Sequence, residues 1–144
     1  MVAGHASAVN RAIDVAKARG AKRALALAVS APFHCALMSP AAEGLKQVLE
    51  PIAIQPLSIP LIANVTAQAS QDRGQVKSLL FQQVTSPVRW EESMQQLGVL
   101  GCEAALEIGP SRVLAGLLKR IDSSLSCASF GDPKNLDDIR GHVA

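Results

Sequence analysis

The sequence predicts an α/β protein with a mostly parallel sheet, and three observations predict it. Stretches of helical periodicity alternate with short extended stretches along the chain. The extended stretches are largely apolar on both faces, as in strands covered on two sides. Helix punctuation, glycine at the ends and Ser-Pro at the starts, falls between the two kinds of segment. With 144 residues, 49% hydrophobic and 18% charged, the chain is excluded from the intrinsically disordered class.

Taken in order, Met1-Val2-Ala3-Gly4 resembles the end of a strand. Ser7 is placed to cap a helix whose stripe is Val9, Ala12, Ile13 and Ala16 and whose stop is Gly20. Leu25, Leu27 and Val29 alternate with Ala24, Ala26 and Ala28, which predicts a strand apolar on both faces. A loop from Ser30 to Met38 follows, and Ser39-Pro40 then opens a helix through Leu45, Val48 and Leu49 that Pro51 stops. Ile59 to Val65 is the second strand, with Pro60 at its start, where a missing donor matters least.

Asp72 is placed to cap a helix carrying Val76, Leu79, Leu80 and Phe81. Ser86-Pro87 repeats the start signal for a helix through Val88, Met94 and Leu97, closed by Gly98. Glu103 to Ile108 is a third strand, Gly109-Pro110 a turn, and Val113, Leu114, Leu117, Leu118 and Ile121 a helical stripe. Leu125 to Phe130 is a fourth strand, and the polar tail from Gly131 carries one short helix.

Several function classes are disfavoured. Net charge is +2, and the four aromatics, Phe33, Phe81, Trp90 and Phe130, are too scattered for stacking on bases, so no nucleic acid is expected as partner. No apolar run reaches the roughly 18 residues of a membrane span, and the start lacks a secretory pattern, so a cytoplasmic protein is expected. Three widely spaced cysteines, Cys35, Cys102 and Cys127, fit reduced thiols, and no Cys/His spacing resembles a metal site.

Candidates for chemistry are few. His34 follows the first predicted strand, the place where α/β proteins put catalytic groups; it is either a general base or a histidine that packs its loop, and position alone leaves both open. Cys35 invites a Cys–His pair, but neighbours in an extended loop point to opposite sides, which favours a small buried thiol. The stretch Glu107-Ile108-Gly109-Pro110-Ser111-Arg112 offers a helix start for a phosphate, against a plain turn that needs Gly and Pro. Arg89 and Trp90 could bind an anion or a ring, against a surface cation and a core-edge aromatic. No GxSxG nucleophile elbow occurs in these residues.

Five blocks nonetheless occur together. Ala21-Lys22-Arg23-Ala24, LAVSAPFHCALMSPAAEGL from Leu27 to Leu45, IPLIANV from Ile59 to Val65, SPVRWEESM from Ser86 to Met94 and EIGPSRVLAGLLKRI from Glu107 to Ile121 resemble, in order and spacing, the malonyl-CoA:acyl-carrier-protein transacylases, an acyltransferase family. Each block alone is weak, and five in order are specific. The resemblance covers nearly the whole chain but only the family's C-terminal half. It implies the C-terminal part of a hydrolase-like parallel-sheet core plus the remnant of a ferredoxin-like small subdomain. Residues 1–30 would be the remnant, 31–130 the core part and 131–144 a tail.

The resemblance also implies a chemistry. The family transfers malonyl from CoA to acyl carrier protein in fatty acid biosynthesis, by a Ser–His ping-pong mechanism through a covalent acyl-enzyme. His34, in the PFHCALM block, takes the place of the family's histidine. Gln83, by its spacing to SPVRW, supplies the backbone carbonyl that orients the ring. Phe33 before His34 matches malonyl-selecting acyltransferase domains of polyketide synthases. Ser111 and Arg112 depart from the commoner EIGPGKVL.

The GQG loop, the GHSxGE elbow and the arginine that pairs with the malonyl carboxylate are expected ahead of Met1. The chain by itself is therefore expected to be inactive, with malonyl-CoA, acyl carrier protein and the missing N-terminal half as partners and with no cofactor or metal. The alternatives are a catalytically inactive truncated fragment and a binding module for an acyl carrier protein or an acyl thioester.

Overall fold

The computed structural model describes residues 1–132 together with Lys134 and Arg140. The expected short helix of the tail lies outside the described residues. The chain divides into two compact units, one from Met1–Pro60 with Gln71–Val88, the other from Leu61–Ser70 with the described residues from Arg89 onward.

The first unit is helical. Helix α1, Ala6–Ala18, begins one residue before Ser7; its N-cap is His5, which makes no side-chain cap bond. Its end is the predicted one. Gly20 sits at φ 85°, Gly20 N–H donates to Lys17 and Ala21 N–H to Ala16, each at 3.0 Å, which is a Schellman cap. A single 3-10 turn, Ala36–Met38, leads into α2, Ser39–Leu49, so Ser39 is the first helical residue and not its cap, and its hydroxyl donates to the Ala36 carbonyl. Helix α3, Arg73–Thr85, has the predicted cap: the Asp72 carboxylate accepts from Gly74 N–H at 2.8 Å.

Helices α2 and α3 pack together. The nearly fully buried Ala42 lies on α2, Lys46 stands 5.8 Å over the Phe81 ring, and Lys77 donates to the Glu50 carbonyl at 2.8 Å. No strand forms at 24–29 or at Val2-Ala3-Gly4. A strand exists through its ladder, and no described segment pairs with 24–29, so Leu25, Leu27 and Val29 stay 60–63% exposed.

The second unit holds both sheets. Only Leu61–Ile62 of the predicted second strand enters a ladder, as β1, and it pairs antiparallel with β2, Ala69–Ser70, in the register Leu61↔Ser70 and Ile62↔Ala69. The turn between them is closed on Ala63, whose carbonyl accepts from Thr66 and Ala67, and buried Ala67 adopts φ 53°. Helix α4 is Trp90–Val99, with Arg89 as its N-cap, three residues later than Ser86-Pro87 predicts, and the Arg89 N–H donates to the Asn64 carbonyl at 3.0 Å. Gly98 lies inside α4, and the left-handed stop is Gly101 at φ 72°, with Cys102 N–H donating to Leu97 and Gly101 N–H to Gly98.

Strand β3, Ala104–Ile108, helix α5, Val113–Ile121, and strand β4, Ser126–Phe130, follow the sequence closely. β3 and β4 are parallel with Ala104 opposite Ser126 and Ile108 opposite Phe130, so the three elements form a β-α-β unit. Leu118 of α5 and Leu125 before β4 are its buried apolar side chains.

Candidate active site

The sequence places His34 in a loop, and the structure gives that loop an unusual backbone. His34 has φ 61°, in the left-handed region, where a non-glycine residue is uncommon and tends to mark a functional or strained position. The side chain is half-buried. Its Nδ1 lies 2.9 Å from the main-chain carbonyl of Gln83, a contact that spans 49 residues of sequence.

A carbonyl oxygen can only accept, so this contact assigns the proton to Nδ1 and leaves Nε2 with its lone pair outward. Gln83 lies in the last turn of α3, where carbonyls point beyond the helix and carry its negative partial charge. The two sequence candidates are thus brought together, through the backbone of one and the ring of the other.

Cys35 is not drawn into this pair. Its thiol donates to the Pro32 carbonyl at 3.1 Å within the same loop. Phe33, immediately before the histidine, is 46% exposed.

The other candidates resolve into structural roles in the second unit. Arg89 precedes α4 as its N-cap. Its guanidinium forks onto Glu92, donating through Nε at 2.8 Å and pairing through a second nitrogen, and a third nitrogen donates to the Thr66 carbonyl at 2.8 Å. The hydrogen bonds from Arg89 hold the Glu92 carboxyl below its ordinary range. This exposed fork ties the β1–β2 turn to the start of α4 and is engaged where an external anion would need it. Trp90 is half-buried, and its Nε1 is buried with no hydrogen-bond partner.

The helix start after Gly109-Pro110 is filled from within the chain. The Glu107 carboxylate, 7% exposed on β3, accepts from Ser111 Oγ at 2.9 Å, Leu114 N–H at 3.2 Å and Ala115 N–H at 2.8 Å. The Ala115 bond, aided by Ser111, Leu114 and Val113, holds this carboxyl below its ordinary range against desolvation. An internal carboxylate therefore stands where a phosphate was the alternative. The signal for it was present, an acidic residue in an otherwise apolar strand four places before Ser111.

A shallow cleft of about 230 Å³ lies at the carboxyl ends of β3 and β4, lined in part by Ser111, Arg112, Ser129 and Asp132. Its two ionisable side chains have opposite signs. Among the described residues no group of His, Cys, Asp and Glu is arranged to hold a metal, and no helix is long and apolar enough to cross a membrane.

No family model matches the chain. Individual relatives do. The malonyl CoA-acyl carrier protein transacylase of Bacillus subtilis strain 168 is 42% identical over 137 residues, which is 95% of this chain and 43% of the relative. Among solved structures, an acyl carrier protein S-malonyltransferase from Vibrio cholerae matches with a TM-score of 0.88 and 43% identity over 95% of this chain and 45% of its own. A malonyl-transacylase solved in complex with a type II PKS acyl-carrier protein gives a TM-score of 0.88 and 45% identity, over 96% of this chain and 45% of its own. Over nearly all of its residues the chain is similar in sequence and fold to malonyl CoA-acyl carrier protein transacylases, and it spans less than half the length of those it matches.

Proposed function

We propose that this chain supplies the base of a malonyl-CoA:acyl-carrier-protein transacylase, His34, with the Gln83 carbonyl orienting it, while the nucleophilic serine comes from polypeptide outside these 144 residues. The observation that carries this reading is the 2.9 Å contact between His34 Nδ1 and the Gln83 carbonyl. It fixes the tautomer that a general base requires, with Nε2 as the accepting nitrogen.

The chemistry runs in two halves. As a serine hydroxyl attacks the thioester carbonyl of malonyl-CoA, Nε2 takes its proton; the tetrahedral intermediate collapses to the malonyl ester and the proton returns to the departing CoA thiolate. In the second half the phosphopantetheine thiol of acyl carrier protein gives its proton to Nε2 and attacks the ester, and the serine recovers that proton as it leaves. No metal or resident cofactor is needed for either half. The neutral carbonyl does the positioning that an aspartate does in a Ser-His-Asp triad.

In this reading residues 1–30 are a remnant of the ferredoxin-like subdomain, residues 31–130 are the C-terminal part of the hydrolase-like core and 131–144 form a tail. The reaction is a cytoplasmic step of fatty acid biosynthesis. The chain alone is inactive because no serine in it stands in an elbow motif.

The test joins this chain to a segment carrying GHSxGE and follows formation of the malonyl-serine ester. His34→Ala is expected to slow acylation by about three orders of magnitude or more, as loss of a catalytic base does. Near-normal acylation in that variant removes the base assignment.

A further inference from the structure

Three helices of this chain end in a way that can be compared position by position. The carbonyl three places before the C-cap belongs to Ala16 in α1, Leu97 in α4 and Gln83 in α3. In the first two it is taken by the chain itself: Ala21 N–H donates to Ala16 and Cys102 N–H to Leu97, through the left-handed glycines Gly20 and Gly101. In α3 the same carbonyl meets the imidazole of His34.

What separates α3 from the other two is Pro87. It stands four residues after Gln83, where the N–H of an ordinary residue would donate to that carbonyl if the helix ran on. Proline has no N–H, so this bond cannot form. It also occupies the position that Gly20 and Gly101 hold in the other helices, and its ring fixes φ near −65°, which forbids the left-handed cap. Finally, proline disfavours helical geometry in the residue before it, and Ser86 is accordingly extended at φ −109°, ψ 151°.

We propose that Pro87 is a positioning residue for the base: it denies the Gln83 carbonyl the two backbone N–H partners that a continuing helix and a left-handed cap provide, and so favours its contact with His34. Pro87 is exposed. Its replacement therefore removes no buried packing, and its effect on the ring passes through Gln83. The proposal rests on His34 being the base, and the experiment separates the two.

The experiment is performed on this chain, labelled with 15N at histidine, at mildly alkaline pH. Two-bond 1H–15N correlations report which nitrogen of His34 carries the proton. The wild-type ring is expected as Nδ1–H. In Pro87→Ala, which restores the N–H, and in Pro87→Gly, which also permits the left-handed cap, the Nε2–H form is expected to rise to at least an equal population. Gln83→Ala keeps the carbonyl and is expected to keep the Nδ1–H form.

A wild-type ring found mainly as Nε2–H overturns the base geometry itself. Nδ1–H persisting in both proline variants overturns the role of Pro87 and leaves that geometry standing. Loss of the folded, dispersed spectrum in either variant also overturns it, since proline would then serve the fold as a whole.

Discussion

In the proposed mechanism His34 takes protons at Nε2, and its other nitrogen, Nδ1, meets a main-chain oxygen, that of Gln83. The amide of Gln83 is incidental to that contact. Gln83→Ala, made in a joined, serine-bearing protein, is expected to retain acylation within about threefold, an effect below 1 kcal/mol. A loss comparable to that of His34→Ala would transfer the orienting role to the side chain. The sequence carried both residues, because the PFHCALM and SPVRW blocks fix their places. The left-handed backbone of His34 was not legible, since only glycine, and to a lesser degree Asn and Asp, announces such a conformation by its chemistry.

At the scale of elements, what is local was legible and what depends on a partner was not. Gly20 and Asp72 are specified by residues within a turn of each other, and β3, α5 and β4 follow one another directly in the sequence. The alternation at 24–29 predicts a strand covered on two sides, but a ladder is a property of two segments, and no described segment pairs with this one, which stays exposed. Strand β2 has two residues and no period to detect. The start of α4 lies three residues beyond the Ser86-Pro87 signal, next to a bond from the Arg89 N–H to the Asn64 carbonyl that no local pattern encodes.

Two element-scale outcomes follow from the β3–α5 junction. Glu107 is held below its ordinary pKa in the folded chain, so its stabilising contribution is complete above the unfolded carboxylate range and is lost as pH falls through the depressed folded value. Thermal melts should find Glu107→Gln less stable than wild type at pH 7, with the difference shrinking as the pH is lowered below the carboxylate range. An unchanged difference would mean that charge has no part in capping α5. Just past the same end of the ladder, a Cβ on Gly131 would press into the Gly109 carbonyl, and the atoms it meets, of Gly109 and Pro110, are backbone. Gly131→Ala is expected to destabilise the fold by about 1–3 kcal/mol, as overpacking against atoms that cannot swing away does. A melt within a degree of wild type would show that the crossing relaxes at little cost.

For the whole chain, an apolar content of 49% contrasts with a buried apolar set of Ala42, Ala63, Ala67, Leu118 and Leu125 among the described residues. Large apolar side chains such as Leu25, Ile59 and Ile108 remain 62–77% exposed, surface of the kind that ordinarily contacts further protein. Incubated alone with malonyl-CoA, the chain is expected to acquire no malonyl ester on any serine by intact-mass measurement, and a gain of one such group would show that it holds its own nucleophile. A main-chain oxygen as the orienting group, as the proposed mechanism has it, would also shape how this molecule records its history. A peptide carbonyl is common to all twenty residue types, so position 83 can vary in spelling while its task stays the same. A catalogue of tolerated substitutions would then be quiet at the atom that does the work and strict at a proline that touches no reactant.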